Sequence, residues 1–405
     1  MRARDSRSVQ HGNAKVLSQQ YDRVLVEVLA RELARMADEA GEPLGPLGMS
    51  AALLRTLDPG GSEARPAPDR RIDAAVLSDY LIGRGVIGAG STVSLKRSAL
   101  GYSKDTYLIA VETPGARASV IVIRRDLPAG PSRTTVVDEF PLVSALFARG
   151  FPIAEPVLLE ADPGVLGRPF MIGRGAAGAP DLTSWEADPG RRALCAAELA
   201  AFLGRLHATP VDGLAVRRSG SADAPDRELA AYFREWRGYW RECGPAGLPA
   251  IERAFDLMEA HLPTAPPLVL VHSDVGFHNI LVEDGRVRAV LDWEFSHLGE
   301  PEEDLAYCRP TVETLMPWSD FLERYRQAGG APVREDRLRA YQIWRGLRNA
   351  ACCALGLKAF HDGLNTDLRL AFAGRVLLRD FAADVETQMQ ALSPTAETNR
   401  RSKAS

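Results

Sequence analysis

Hydrophobic positions recur along this chain with two different periods. Over residues 13–40 the apolar residues Val16, Tyr21, Val24, Leu25, Val28, Leu29, Leu33 and Met36 fall at helical spacing, which predicts one long amphipathic helix in need of a partner surface. The stretch "DPGGSEARPAPDRR", residues 58–71, is rich in Gly, Pro and charge and reads as a linker, with a boundary near residue 72. From residue 91 to 125 the period shortens. "STVSLKRSAL", "TYLIAVE" and "ASVIVIRR" are strand-like runs separated by the breaks "GYSKD" and "TPGAR", which predicts an antiparallel meander. "TTVVDEFPLVSALFARG" follows as a helix, then "IAEPVLLEAD" and "RPFMIGR" as short strands. After about residue 175 helical patterns dominate, over 192–207, 228–242, 251–262, 336–360 and 368–388. The expected fold class is α+β, a small antiparallel-sheet lobe followed by a larger, mainly helical one. The expected division is a helical extension and linker over 1–71, lobes over 72–175 and 176–391, and a disordered tail over 392–405.

One segment of the helical half departs from its surroundings. In "ILVEDGRVRAVLDW" the dipeptide Asp284-Gly285 stands between two β-branched runs, a strong signal for a two-residue hairpin turn, because Gly accepts the positive φ that the turn demands. If Glu283 and Arg286 flank the turn, Val282 faces Val287, Leu281 faces Arg288, Asn279 faces Val290, and Asp292 lies just beyond Asn279 on the opposing strand. Side chains so placed approach within about 5–8 Å, close enough to share a cation. An amide oxygen and a carboxylate are hard ligands that suit Mg²⁺ and suit zinc poorly.

Upstream, His272, Asp274 and Asn279 spell H-x-D-x-x-x-x-N, the arrangement of kinase catalytic loops, and Asp292 takes the place of the metal-binding Asp after the hairpin. The chemistry this points to is phosphoryl transfer. The motif alone is weak; joined to an encoded hairpin and a second Asp at its far end, it is a strong signal.

Charge and composition narrow the partners. The chain has 405 residues, 46% hydrophobic and 25% charged, with 49 Lys and Arg against 53 Asp and Glu, a formal net charge of -4. No overall basic field recommends nucleic acid or an anionic membrane, so any anion site is local. The N-terminal stretch "MRARDSRSVQHGNAKV" has no apolar leader region, and no run approaches the roughly 18 apolar residues of a membrane span, so a cytoplasmic protein is expected. Cys195, Cys243, Cys308, Cys352 and Cys353 are scattered without metal-ligand spacing and read as reduced, buried thiols.

From about residue 77 to the C-terminal helices the chain resembles the aminoglycoside phosphotransferase and choline kinase-like family, which has a bilobal protein kinase-like fold. In "GYSKDTYLI", "VIRRDLPAG", "VLGRPFMI", "LGRLHAT" and "LDWEFSHLGEPEEDLAY" it is most similar to the subgroup also found fused to acyl-CoA dehydrogenases. The resemblance implies an ATP-dependent kinase, with GTP as an alternative nucleotide, acting on a small-molecule alcohol. Asp274 would orient or deprotonate the acceptor hydroxyl, His272 would support the loop through hydrogen bonds, and Asn279 and Asp292 would hold Mg²⁺. Gly101, Tyr102, Ser103 and Lys104 match the phosphate-covering turn. Arg124 or Arg125 stands where the fold usually has a lysine for the α- and β-phosphates, a departure in reach and geometry. Glu139 would pair with that cation from the first turn of a helix, where Pro141 is tolerated. The backbone of Met171 and Ile172 would meet the adenine at a hinge, and Asp304 would brace the catalytic loop.

Other features carry weaker readings. "GRGVIG", with Gly83, Gly85 and Gly88, has dinucleotide-binding spacing but precedes strands instead of opening a helix. His207, His278 and His297 match no zinc spacing and read as packing or surface residues. Residues 305–385 hold nine Asp or Glu against twelve Lys or Arg. That balance disfavours a polycationic aminoglycoside and suits a neutral or anionic alcohol such as a hydroxyacyl compound. Tyr341, Trp344, Arg345 and Arg348 sit at one-turn spacing and either line the acceptor pocket or pack into the core with the arginines snorkelling outward. A catalytically silent nucleotide-binding protein and an antibiotic phosphotransferase remain as alternatives. The N-terminal helix would pack on its own lobe or form a homodimer.

Overall fold

A computed structural model describes residues 72–98, 103–178, 188–217, 219, 225–260 and 268–402. The predicted N-terminal helix and its suggested dimer contact lie outside these residues, as do Gly101 and Tyr102. Helix α1 (Ala74–Gly83) precedes β1 (Thr92–Arg97), β2 (Lys104–Glu112) and β3 (Ser119–Asp126). Helix α2 (Val136–Ala148), β4 (Pro156–Glu160), the short α3 (Pro163–Leu166) and β5 (Phe170–Arg174) complete the first lobe. The five strands form one antiparallel sheet in the order β1-β2-β3-β5-β4. Alternation gives it two unlike faces. Ile109, Ile121, Ile123, Phe170 and Ile172 pack with Leu77 and Leu81 of α1 into a closed apolar core. The other face turns toward the second lobe, where Lys104 and Arg124 reach Glu294 and Asp292.

α2 begins where its sequence directs. Thr135 and Asp138 form a reciprocal capping box, satisfying two of the N–H groups that a helix start leaves open. Glu139 is in the first turn as expected, but Pro141 is the sixth helical residue and lies inside the helix. The cap fixes the start one turn earlier than Pro141 alone would suggest, and the ring removes the N–H that Val137 O would otherwise accept.

The second lobe contains α4 (Pro189–His207), α5 (Pro225–Cys243), α6 (Pro249–Ala260), α7 (Glu302–Leu315), α8 (Trp318–Gln327), α9 (Glu335–His361) and α10 (Leu368–Phe372). A π-helical turn at Ala373–Leu377 leads into α11 (Leu378–Ser402). That last helix enters the stretch expected to be a disordered tail. Elongating an existing helix adds one hydrogen bond per residue without a new nucleus. Among the helices lie β6 (Val269–Val271), a 3₁₀ turn (Phe277–Asn279), the hairpin β7 (Ile280–Glu283) and β8 (Arg286–Val290), and β9 (His297–Gly299).

The hairpin turn has the predicted residues and backbone, Asp284 at φ 52° and Gly285 at φ 75°. Val282 does face Val287, but a register shift follows. Leu281 pairs with Ala289, not Arg288, and Ile280, not Asn279, pairs with Val290. The bulge accommodates one extra residue in β8. Asn279 remains joined to the far strand through Leu291 N, which donates to its carbonyl at 2.7 Å.

All five cysteines are free, and burial pushes the Cys195 and Cys353 thiols up to about 12. No helix among the described residues is long and apolar enough to cross a membrane.

Candidate active site

β6 and β9 pair antiparallel, with Val271 opposite His297, and deliver the chain into the loop that starts at His272. Ser273 has φ 71°, a left-handed conformation unfavourable for a residue with a Cβ. Buried partners hold it there. Asp304, at the start of α7, accepts from His272 N at 2.9 Å and from Ser273 N at 2.6 Å, and Glu303 accepts from the Ser273 hydroxyl at 2.5 Å. This is the bracing expected of Asp304. His207, at the end of α4, packs between Asp304 (3.0 Å) and the Tyr325 hydroxyl (2.9 Å). Burial alone would raise the Asp304 carboxyl, but His207 and the loop hold it below the ordinary value.

His272 uses both ring nitrogens. Nδ1 accepts from Asp274 N at 3.2 Å, which leaves Nε2 to donate to Leu291 O at 2.9 Å. The imidazole ties the loop to the end of the hairpin. Asn279 Nδ2 donates to Asp274 O at 3.0 Å and to Oδ2 at 2.9 Å. Arg348 Nη2 reaches Asp274 Oδ1 at 3.2 Å, and His278 Nε2 lies 3.6 Å from Oδ2. Burial would raise the Asp274 carboxyl, yet His278, Arg348 and Tyr307 hold it well below the usual carboxylate range.

The cation opposite is resolved by strand alternation. Arg124 faces the cleft, where Nη1 pairs with Glu139 of α2 and Nη2 donates to Asp292 Oδ1 at 2.5 Å. Arg125 faces the other way, donating to Asp105 Oδ2 and Leu166 O, each at 2.7 Å. Glu139 Oε1 also accepts from Trp293 N at 3.1 Å, so α2, the arginine and the segment after the hairpin are joined. Asp292 has φ 62°, which turns its carboxylate back toward the cleft.

The side chains of Lys104 and Ile172 are both engaged away from open space. Lys104 opens β2 with its ammonium buried, donating to Glu294 Oε2 at 2.9 Å and Thr134 O at 2.7 Å. It ties the sheet to the segment after Asp292, while Ser103 sits half-buried before it. Ile172 turns its side chain into the α1 core, and Met171, paired with Arg124, is on the cleft face.

Sequence reading missed the apolar part of that face. Register places Leu108 opposite Val122 and Ala110 opposite Val120, all on the Arg124 side of the sheet. Leu108 and Val120 are 41% and 45% exposed. The i−2 and i−4 spacing of Val122 and Val120 from Arg124 is a signal that could have found the β3 pair. Arg348, expected at one-turn spacing either to line the acceptor pocket or to snorkel outward, is instead buried and reaches Asp274. Tyr341 and Trp344 are buried in the core, donating to Glu300 at 2.9 Å and Glu303 at 3.0 Å, and Arg345 lies 3.9 Å from Asp384. His297 is buried too, stacked on Tyr232 at 3.6 Å. Among the described residues no three His, Cys, Asp or Glu are grouped to hold a metal.

Two lobes, a loop acid held by an asparagine, and an arginine joining a helix acid to the Asp beyond the hairpin make up a kinase-like arrangement. Residues 94–350 match the family described as "Phosphotransferase enzyme family", and the chain belongs to it. It is 30% identical over 288 residues to acyl-CoA dehydrogenase family member 10 of Mus musculus, covering 67% of this chain and 25% of that protein. It is 25% identical over 303 residues to acyl-CoA dehydrogenase family member 11 of Homo sapiens, covering 71% and 37%. The match thus spans about a quarter to a third of these relatives' length. A solved putative aminoglycoside phosphotransferase from Ralstonia eutropha shares the fold, with a TM-score of 0.61 at 21% identity over 79% of this chain and 99% of that one.

Proposed function

We propose that the chain transfers the γ-phosphate of Mg²⁺-bound ATP, or GTP, to a hydroxyl of a small neutral or anionic acceptor. A hydroxylated acyl compound is the class favoured by its resemblance to relatives named acyl-CoA dehydrogenases. The observation that supports this reading is the Asn279–Asp274 hydrogen bond in the loop together with the Arg124–Glu139 pair joined to Asp292 after the hairpin. Asp274 accepts the acceptor's O–H, aligns the oxygen with the γ-phosphorus, and takes the proton as the new P–O bond forms and the bond from the γ-phosphorus to the β–γ bridging oxygen breaks, releasing the nucleoside diphosphate. Its depressed pKa suits orientation more than strong base catalysis. A loose phosphoryl transition state gains mainly from such positioning and from cations near developing charge.

The donor set fits Mg²⁺. Asn279 commits its amide nitrogen to Asp274, which presents the amide oxygen on its other edge, and Asp292 adds a carboxylate. Held by Asn279 and Asp292, the ion would supply positive charge to offset that of the phosphates. Arg124 is the candidate for the α- and β-phosphates, oriented by Glu139. Leu108, Val120 and Val122 offer an apolar face for the base, beside the backbone of Met171 and Ile172.

The test is Mg²⁺-dependent transfer of γ-phosphate from ATP and GTP to a panel of hydroxy acids, hydroxyacyl thioesters, sugars, choline and aminoglycosides, with Asp274→Asn as control. Transfer to a neutral or anionic alcohol that the substitution abolishes is expected. Transfer only to aminoglycosides would overturn the acceptor class. Absence of any transfer despite Mg-nucleotide binding would favour a silent kinase fold.

A further inference from the structure

We infer that Arg348, carried by α9, is a positioning residue for this reaction, fixing both the backbone that aims Asp274 and the carboxylate itself. The inference rests on the assignment of Asp274 proposed above. Three buried charged groups grip Ser273 in its left-handed conformation. Asp304 takes its N–H, Glu303 its hydroxyl, and Arg348 Nη1 donates to its carbonyl and, at 2.6 Å, to its Oγ. Of the three, Arg348 also reaches past Ser273 to Asp274, through Nη2. Asn279 holds the other carboxylate oxygen, so the side chain is gripped from both ends.

This task needs a guanidinium. Nη1 and Nη2 lie on one rigid plane and meet consecutive residues, whereas an ammonium is a single point. The plane is fixed in turn by Phe295 (4.8 Å) and Tyr307 (5.2 Å), which flank the cation. Stability gives little reason for the arrangement. Arg348 is only 2% exposed and its Nε is buried without a partner, and apolar replacements of buried charges are often neutral or stabilising. What the two Nη atoms hold accounts for the residue.

The experiment uses full-length Arg348→Met, Arg348→Lys and Arg348→Ala, with kcat, acceptor KM, affinity for a fluorescent Mg-ATP analogue, and a crystal structure of the Met variant. Expected is a kcat about 100-fold lower for Met, the scale of losing one preorganised polar contact, with nucleotide affinity within about twofold. Lys should recover little, and methylguanidinium should restore part of the activity of Arg348→Ala. In the crystal, Asp274 should leave Asn279. A Met variant within threefold of wild-type kcat, or nucleotide affinity and kcat lost together without rescue, would overturn the role. If the kinase reading itself fails, the wild type neither binds Mg-nucleotide nor transfers phosphate. The crystal structure then decides, and an unmoved Asp274 overturns the positioning.

Discussion

The two sides of the loop that carries Asp274 are built on different terms. On the cleft side Asp274, Asn279 and Asp292 come from nineteen consecutive residues, and the two carboxylates stay partly accessible, 15% for Asp274 and 27% for Asp292. On the underside Asp304, Glu303, Arg348, His207 and Trp344 come from three helices and are buried. The groups proposed to react are local and open; what holds them still is remote and dry. A charge in water is cheap and adjustable, whereas a buried one must be fully partnered and so locks its neighbours.

The contrast can be broken first from below. Asp304→Ala leaves two buried N–H groups and His207 without their acceptor, and should cost about 3–5 kcal/mol, the range for removing one member of a buried polar pair, in urea unfolding. Because the folded Asp304 carboxyl is depressed, its contribution is present above the unfolded pKa of about 3.9 and lost as pH falls through the lower folded value. The stability gap between wild type and variant should therefore narrow below about pH 4. A gap that stays constant down to pH 2 would show that Asp304 is not held as described.

From above, Arg124→Met should act on rate more than on stability. Removing this cation sets Glu139 against Asp292, and transfer should drop about 100-fold or more, roughly 3 kcal/mol of barrier. Arg124→Lys should keep part of the charge and part of the rate. Arg125→Met makes the comparison sharper. Its partners Asp105 and Leu166 O lie on the opposite face, so it should lower thermal stability while leaving nucleotide affinity near the wild-type value.

The smallest effect belongs to the apolar cleft face. Leu108→Ser should change stability by less than about 0.5 kcal/mol because the residue is already exposed. Weakening of Mg-ATP by several-fold, read by fluorescence titration, is expected from losing apolar area of roughly 1 kcal/mol. Unchanged nucleotide affinity would remove this face from the binding site.

Much of the fold was legible because period and punctuation agree. The meander, α2 and the C-terminal helices follow from alternation, from the Thr135–Asp138 cap and from apolar spacing. The Asp284-Gly285 turn was legible for the same reason, whereas the bulge beyond it was not, since period-two counting has no place for an extra residue. Lys104 shows the limit most clearly. Beside a turn it looks like a phosphate ligand, yet its ammonium is taken by Glu294, 190 residues downstream.

By itself, the sequence determined which groups can do chemistry and in what local order, because a turn, a loop and a hairpin are fixed by φ preferences and hydrogen bonds over a few residues. Only the tertiary structure decided which of two adjacent arginines meets the cleft, which face of the sheet stays open, and that Arg348 lies against Asp274. Those outcomes depend on burial and charge pairing between segments distant in the chain, and no local pattern encodes a partner dozens of residues away.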